Sequence, residues 1–67
     1  MIWVLIDNTN GNEFVACGFV RSVVEEALKL LMEGDKMVDS HRTYSIKRIE
    51  NNGKGYPKYF DEEIFYS

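Results

Sequence analysis

The sequence predicts an α+β fold: a small antiparallel sheet of order 2-1-3 with a short fourth strand, and one helix packed on one face. Three observations predict it. Ile2-Trp3-Val4-Leu5-Ile6 is apolar at five consecutive positions. Alternate residues of a strand show opposite faces, so this strand is apolar on both and belongs inside a sheet. Asn10-Gly11 then precedes a second apolar run, Phe14 to Phe19, and Asn-Gly is a favoured pair for a two-residue hairpin turn. From Val24 onward the apolar residues fall at helical spacing.

Each element has a local reason. A two-residue turn at Asn10-Gly11 sets Ile6 opposite Val15, Val4 opposite Cys17 and Ile2 opposite Phe19. All six share one face, which reads as the core face. On the other face Leu5 meets Ala16, Trp3 meets Gly18 and Asp7 meets Phe14. Ser22 with Glu25 three residues later fits a capping box. Val24, Ala27, Leu28 and Leu31 make the buried stripe, and Gly34 is placed to end the helix. Asp35 to Arg42 is polar and reads as a loop. Thr43 to Ile49 alternates as a third strand with Tyr44 and Ile46 inward, and Asn51 to Pro57 has turn composition. Lys58 to Ser67 supplies the fourth strand. The hairpin makes the first two strands antiparallel. The helix then returns the chain through a right-handed crossover, so the third strand pairs with the first.

At 67 residues there is room for one domain, 1–67. The composition, 45% hydrophobic and 28% charged, is that of a folded chain. Cys17 is the only cysteine, so no intrachain disulfide forms, which fits a reducing compartment. The N-terminal apolar run has no basic residues before it and is too short for a signal peptide or a membrane span. The expected location is cytoplasmic. The net charge of −3 is unevenly spread: residues 41–58 carry +4 through Arg42, Lys47, Arg48, Lys54 and Lys58 against Glu50, and the rest carries −7.

Catalysis finds no constellation. His41 is the only histidine, in a loop near Asp39, and Cys17 points into the predicted core, where a thiol is an inert small hydrophobe. One His and one Cys do not make a zinc site. Gly53-Lys54-Gly55 lacks the length and the following helix of a phosphate loop. No catalytic residue, cofactor or metal is expected. What remains is a surface for binding. The face without the helix is expected to show Trp3, Leu5 and Phe14, with Lys47 from the third strand, and an exposed apolar cluster on a folded protein marks a contact surface. Tyr59 and Phe60 with Asp61, Glu62 and Glu63 add rings beside acids, suited to a basic protein surface. The competing expectation is that the C-terminal segment from Tyr56 onward, which holds five of the nine aromatic residues, folds over this face.

The leading function is therefore a non-enzymatic protein-binding module with Trp3, Leu5, Phe14, Lys47, Tyr59, Phe60, Asp61, Glu62 and Glu63 as its contact set. In general character (very small, acidic, rich in aromatics, without catalytic groups) the chain resembles the small inhibitors that phages and other mobile elements make against host machinery, including anti-CRISPR proteins. That resemblance implies a host protein as partner. A single-stranded nucleic-acid binder using the open face is the first alternative, opposed by a sequence pI near 5.0. A structural homodimer, or a subunit of an assembly, is the second.

Overall fold

The computed structural model describes residues 1–51, 55 and 57–67, with the backbone alone at Asp61 and Glu62. The chain runs β1 (Ile2–Asp7), β2 (Glu13–Gly18), α1 (Arg21–Met37), β3 (Thr43–Asn51) and β4 (Pro57–Tyr66). The four strands form one sheet of order β2-β1-β3-β4 with antiparallel neighbours throughout. The α+β class and the central place of the first strand are as the sequence predicts. The fourth strand is ten residues long, longer than expected, and lies beside β3 as an edge.

The hairpin differs from the predicted one. Trp3, Val4 and Leu5 pair with Gly18, Cys17 and Ala16 in the expected register, but Ile6 faces Phe14 and Asp7 faces Glu13, leaving Val15 as the extra residue of a bulge. Residues 8–12 connect the strands in place of a two-residue turn. Gly11 has φ 104° while Asn10 is not left-handed, and a type I′ turn needs positive φ at both positions. Competing hydrogen bonds explain the longer loop. The Thr9 amide donates to Asp7 Oδ1 at 2.9 Å, the Asn8 amide to the Thr43 carbonyl at 2.8 Å, and Asn8 Nδ2 to Ser45 Oγ at 2.9 Å.

The helix packs on the face opposite to the predicted one. Leu5, Val24, Leu28, Tyr44 and Ile46 form the buried cluster, with Trp3, Ala16, Ala27, Leu31, Met32 and Phe65 packed against it. The expected core face is overturned. Ile2, Cys17 and Phe19 are exposed, and Val15 lines a small cavity with Leu31 on the helix side. Two facts decide the matter. In the β1–β3 register Leu5 pairs with Ile46 and Asp7 with Tyr44, so the inward residues of β3 share the face of Leu5, not that of Val4. Small Ala16 and Gly18 on β2 also let the helix approach. A Cβ at Gly18 would stand 2.8 Å from Val23 Cγ1 and 2.9 Å from its Cβ.

Both helix ends also differ from expectation. Val20, extended at φ −130° and ψ 148°, is the N-cap and no side chain caps it; Ser22 lies inside the first turn. Arg21 anchors the entry instead, bonded to Glu25 and, at 3.0 Å, to Glu63, with its guanidinium 5.8 Å from the Trp3 ring centre. The helix continues through Gly34 to Met37. It closes where Asp39, at φ 54°, takes the left-handed position: the Ser40 amide donates to the Asp35 carbonyl at 2.8 Å and the Asp39 amide to the Lys36 carbonyl at 3.4 Å, the pairing of a Schellman motif. The extra turn carries Asp35 into the interior, where Tyr44 Oη donates to its Oδ2 at 2.6 Å. The polar loop therefore shrinks to the few residues before β3.

No helix among the described residues is long and apolar enough to cross a membrane.

Candidate docking face

A helix covers one side of a sheet, and alternation decides what the other side shows. Here β1 gives Ile2, Val4 and Ile6; β2 gives Phe14 and Cys17; β3 gives Ser45, Lys47 and Ile49; β4 gives Tyr59, Ile64 and Tyr66, opposite Ile49, Ser45 and Thr43. Val4 and Ile6, at the centre, are only 4% exposed. Around them Phe14 is 63%, Tyr66 73%, Ile64 55% and Tyr59 54% exposed. Lys47, half-buried, is the one charge among the described side chains of these strands on this face. Pro57–Tyr66, the described part of the C-terminal segment, extends the sheet as a strand beside β3.

The predicted contact residues divide between the two faces. Phe14, Lys47 and Tyr59 lie together on the helix-free face. Leu5 does not: it is fully buried beneath the helix. Trp3, half-buried, sits on the helix side under Arg21. Phe60 is there too, with the Arg48 guanidinium 4.7 Å from its ring centre, and Glu63 bonds Arg21. The acids were expected to stand beside exposed rings. Glu63 stands on the opposite face, because a bulge at Glu62 shifts the β3–β4 register there. The side chains of Asp61 and Glu62 lie outside the described residues, as do Gly53, Lys54 and Tyr56. Cys17 is on the open face and exposed, not in the core. Ile64 and Tyr66 are the face residues that sequence reasoning missed. Their signal was alternation with inward Phe65, legible only once β4 is in register with β3.

The described basic residues of the middle segment do not form one patch. Lys47 points to the open face, whereas Arg48 donates to Glu50 Oε1 at 2.6 Å on the helix side. Arg42 donates to Asp7 Oδ2 at 2.9 Å and lies 3.6 Å from Asp35 Oδ1. Asp7 and Asp35 are both buried, so this cluster ties β1, α1 and the start of β3 together. The Thr9 hydroxyl and amide, then Arg42, hold the Asp7 carboxyl below its ordinary range. Burial first, and the bond to Asp35 second, push Tyr44 up to about 12. Every buried polar side-chain atom among the described residues has a hydrogen-bond partner, which fits a structural network.

On the helix side a groove of about 850 Å³ runs between α1 and β4, with Leu28, Met32 and Phe65 among its apolar lining and charges of both signs at its rim. His41 lies at its end, exposed, 3.8 Å from Asp39 and 3.3 Å from the Ser67 carbonyl. Among the described residues no three His, Cys, Asp or Glu side chains are placed to hold a metal ion. The chain matches no protein-family model, no curated protein and no solved structure.

Proposed function

We propose that this protein is a non-enzymatic protein-binding module that docks through the helix-free face of its sheet. One observation carries the reading: exposed Phe14, Tyr59, Ile64 and Tyr66 surround Val4 and Ile6 on a face whose one described charge is Lys47. Large apolar groups grouped on one side of a folded chain are the composition of an interface core, where charges are depleted and aromatics enriched. Glu63, one of the three acids expected at the contact surface, is turned to the other face and engaged by Arg21. Such a module acts by occupancy, covering a surface that another macromolecule needs, the mode of small phage and mobile-element inhibitors.

The test is a quantitative capture from source-cell extract with wild type, Phe14→Ser, Ile64→Ser and Leu30→Ser as baits. Leu30 is exposed on the helix and serves as the control. A partner retained by wild type and Leu30→Ser, and weakened about tenfold or more by the two face variants, supports the reading. Equal retention by all four sinks it.

A single-stranded nucleic acid is the second reading, favoured by three exposed rings and a lysine on one sheet face. Against it stands the engagement of Arg42 and Arg48 with acids on the other side. Binding of a labelled oligonucleotide that weakens with Lys47→Ala and loses salt dependence would favour this reading instead.

A further inference from the structure

We infer that the groove between α1 and β4 is a binding site for a single-chain anionic amphiphile, an alkyl chain that ends in a carboxylate. The groove lies on the helix side of the sheet, and the inference is independent of the docking role of the other face.

The groove exists because the helix is narrower than the sheet. A helix with its side chains is about 10–12 Å across, whereas four strands about 4.8 Å apart make a broader surface. α1 packs mainly over β1 and β2, which leaves a gap towards β4.

The floor of that gap is apolar. Leu28 is buried, and Met32 from the helix and Phe65 from β4 are half-buried. The lining runs along α1 from Arg21 to Lys36, about 22 Å at a rise of 1.5 Å per residue. The volume of about 850 Å³ falls in the range of small-molecule sites, which are mostly apolar with a few placed polar groups. An elongated groove of this kind suits a chain better than a compact ring system. The unbranched Met32 side chain adapts to such a guest.

Charge decides the head group. Most charges at the rim are already engaged. Arg21 is held by Glu25 and Glu63 at one end. Asp35 accepts from Tyr44 and lies beside Arg42, and Asp39 lies beside His41. Lys29, Lys36 and Glu33 are the rim charges without a partner among the described residues. Two ammonium groups against one carboxylate leave these uncommitted charges complementary to an anion. Lys29 stands three residues before Met32 and Lys36 four after it, the spacings that make neighbours on one helix surface. The two therefore bracket the apolar floor. Glu33 follows Lys29 by four residues, the less favourable order for a helical pair, and does not bond it. A carboxylate entering here gains charge-assisted hydrogen bonds that no described side chain supplies.

The methionines provide the measurement. The chain has three, Met1, Met32 and Met37, and of these Met32 alone lines the groove. Protein carrying ¹³C-methyl methionine is titrated with sodium dodecanoate below its micelle-forming concentration. The Met32 methyl resonance should shift saturably while those of Met1 and Met37 stay in place. Affinity should rise from decanoate to dodecanoate, by up to about fourfold for each further methylene covered. Dodecyltrimethylammonium, with the same chain and a cationic head, should bind several-fold more weakly. Lys29→Gln combined with Lys36→Gln should weaken dodecanoate several-fold and reduce the preference between the two heads. Circular dichroism confirms that this variant is folded; if it is not, Lys36→Gln alone takes its place. Phe14→Ser, on the opposite face, should bind dodecanoate as wild type does.

The absence of a saturable Met32 shift, or a common shift of all three methyl groups, overturns the site. Equal or tighter binding of the cationic amphiphile overturns the anionic head, as does unchanged affinity in the lysine variant. Loss of dodecanoate binding in Phe14→Ser would place the ligand on the helix-free face instead. The capture experiment with Phe14→Ser and Ile64→Ser tests the docking reading separately, so either reading can fail without the other.

Discussion

At the scale of single residues, the polar cluster at one end of the sheet makes the sharpest statements. Tyr44 is buried and donates to Asp35, and its phenol is pushed up to about 12, by burial first. A group whose folded value is raised stabilises fully below its unfolded value and loses that contribution as pH climbs through the folded one. Stability should therefore fall between about pH 10 and 12, with a late phenolate absorbance step. Tyr44→Phe should remove that step and cost about 1–3 kcal/mol at neutral pH, because Asp35 loses a buried donor. Urea titrations and an absorbance titration check both.

Asp7 moves the opposite way. The Thr9 hydroxyl, its amide and Arg42 lower its value, so its contribution is complete above about pH 4 and disappears as pH falls through the depressed value. Asp7→Asn should cost about 1–3 kcal/mol at pH 7, and the gap from wild type should narrow in acid. A gap constant down to pH 2 would contradict the assignment.

At the scale of elements, two backbone positions govern how α1 enters the fold and leaves it. Asp39 occupies a left-handed conformation at φ 54° with an exposed side chain. Glycine adopts that conformation without a Cβ penalty, so Asp39→Gly should stabilise by about 0.5–1 kcal/mol in thermal or urea melts. Its ion pair with His41, 3.8 Å long and exposed, offsets little. Gly18 matters for space instead. The Val23 branch point stands where a Gly18 Cβ would need room, and a β-branched side chain is stiff. Gly18→Ala should push the helix off β2 and cost about 1–3 kcal/mol. An unchanged melt would show that the helix can slide at no cost.

At the scale of the whole molecule, one face of the sheet holds the fold together and the other is the proposed docking face. Leu5 and Phe14 were both expected to be contact residues, and the structure separates them. Leu5 has no exposure under the helix, while Phe14 stands 63% exposed on the far side. In a chain of this size a loss of a few kcal/mol is much of the total. Leu5→Ala should cost about 2–5 kcal/mol and leave the protein largely unfolded. Phe14→Ser should change the stability of dilute protein by less than about 0.5 kcal/mol. Denaturation at low concentration tests the pair, since association would add a concentration-dependent contribution.

What the sequence determined by itself is local and periodic. The apolar run from Ile2 to Ile6 placed β1 inside the sheet, and the stripe through Val24 and Leu28 placed the helix. Alternation around Tyr44 and Ile46 marked both as inward. These follow from side-chain period, which needs no knowledge of distant residues. Only the tertiary structure decided which face of β1 the helix covers, because both faces are apolar and periodicity cannot choose between them. The β1–β3 register, which sets Leu5 opposite Ile46, and the contact of Val23 with Gly18 made that choice. It inverted the candidate site: Leu5 and Trp3 went under the helix, Cys17 came to the surface, and Ile64 and Tyr66 joined Phe14 and Tyr59. Bulges at Val15 and Glu62 turned neighbouring side chains over. A shift of one residue reverses every face beyond it, and the bonds that fix such a shift run between segments far apart in the chain.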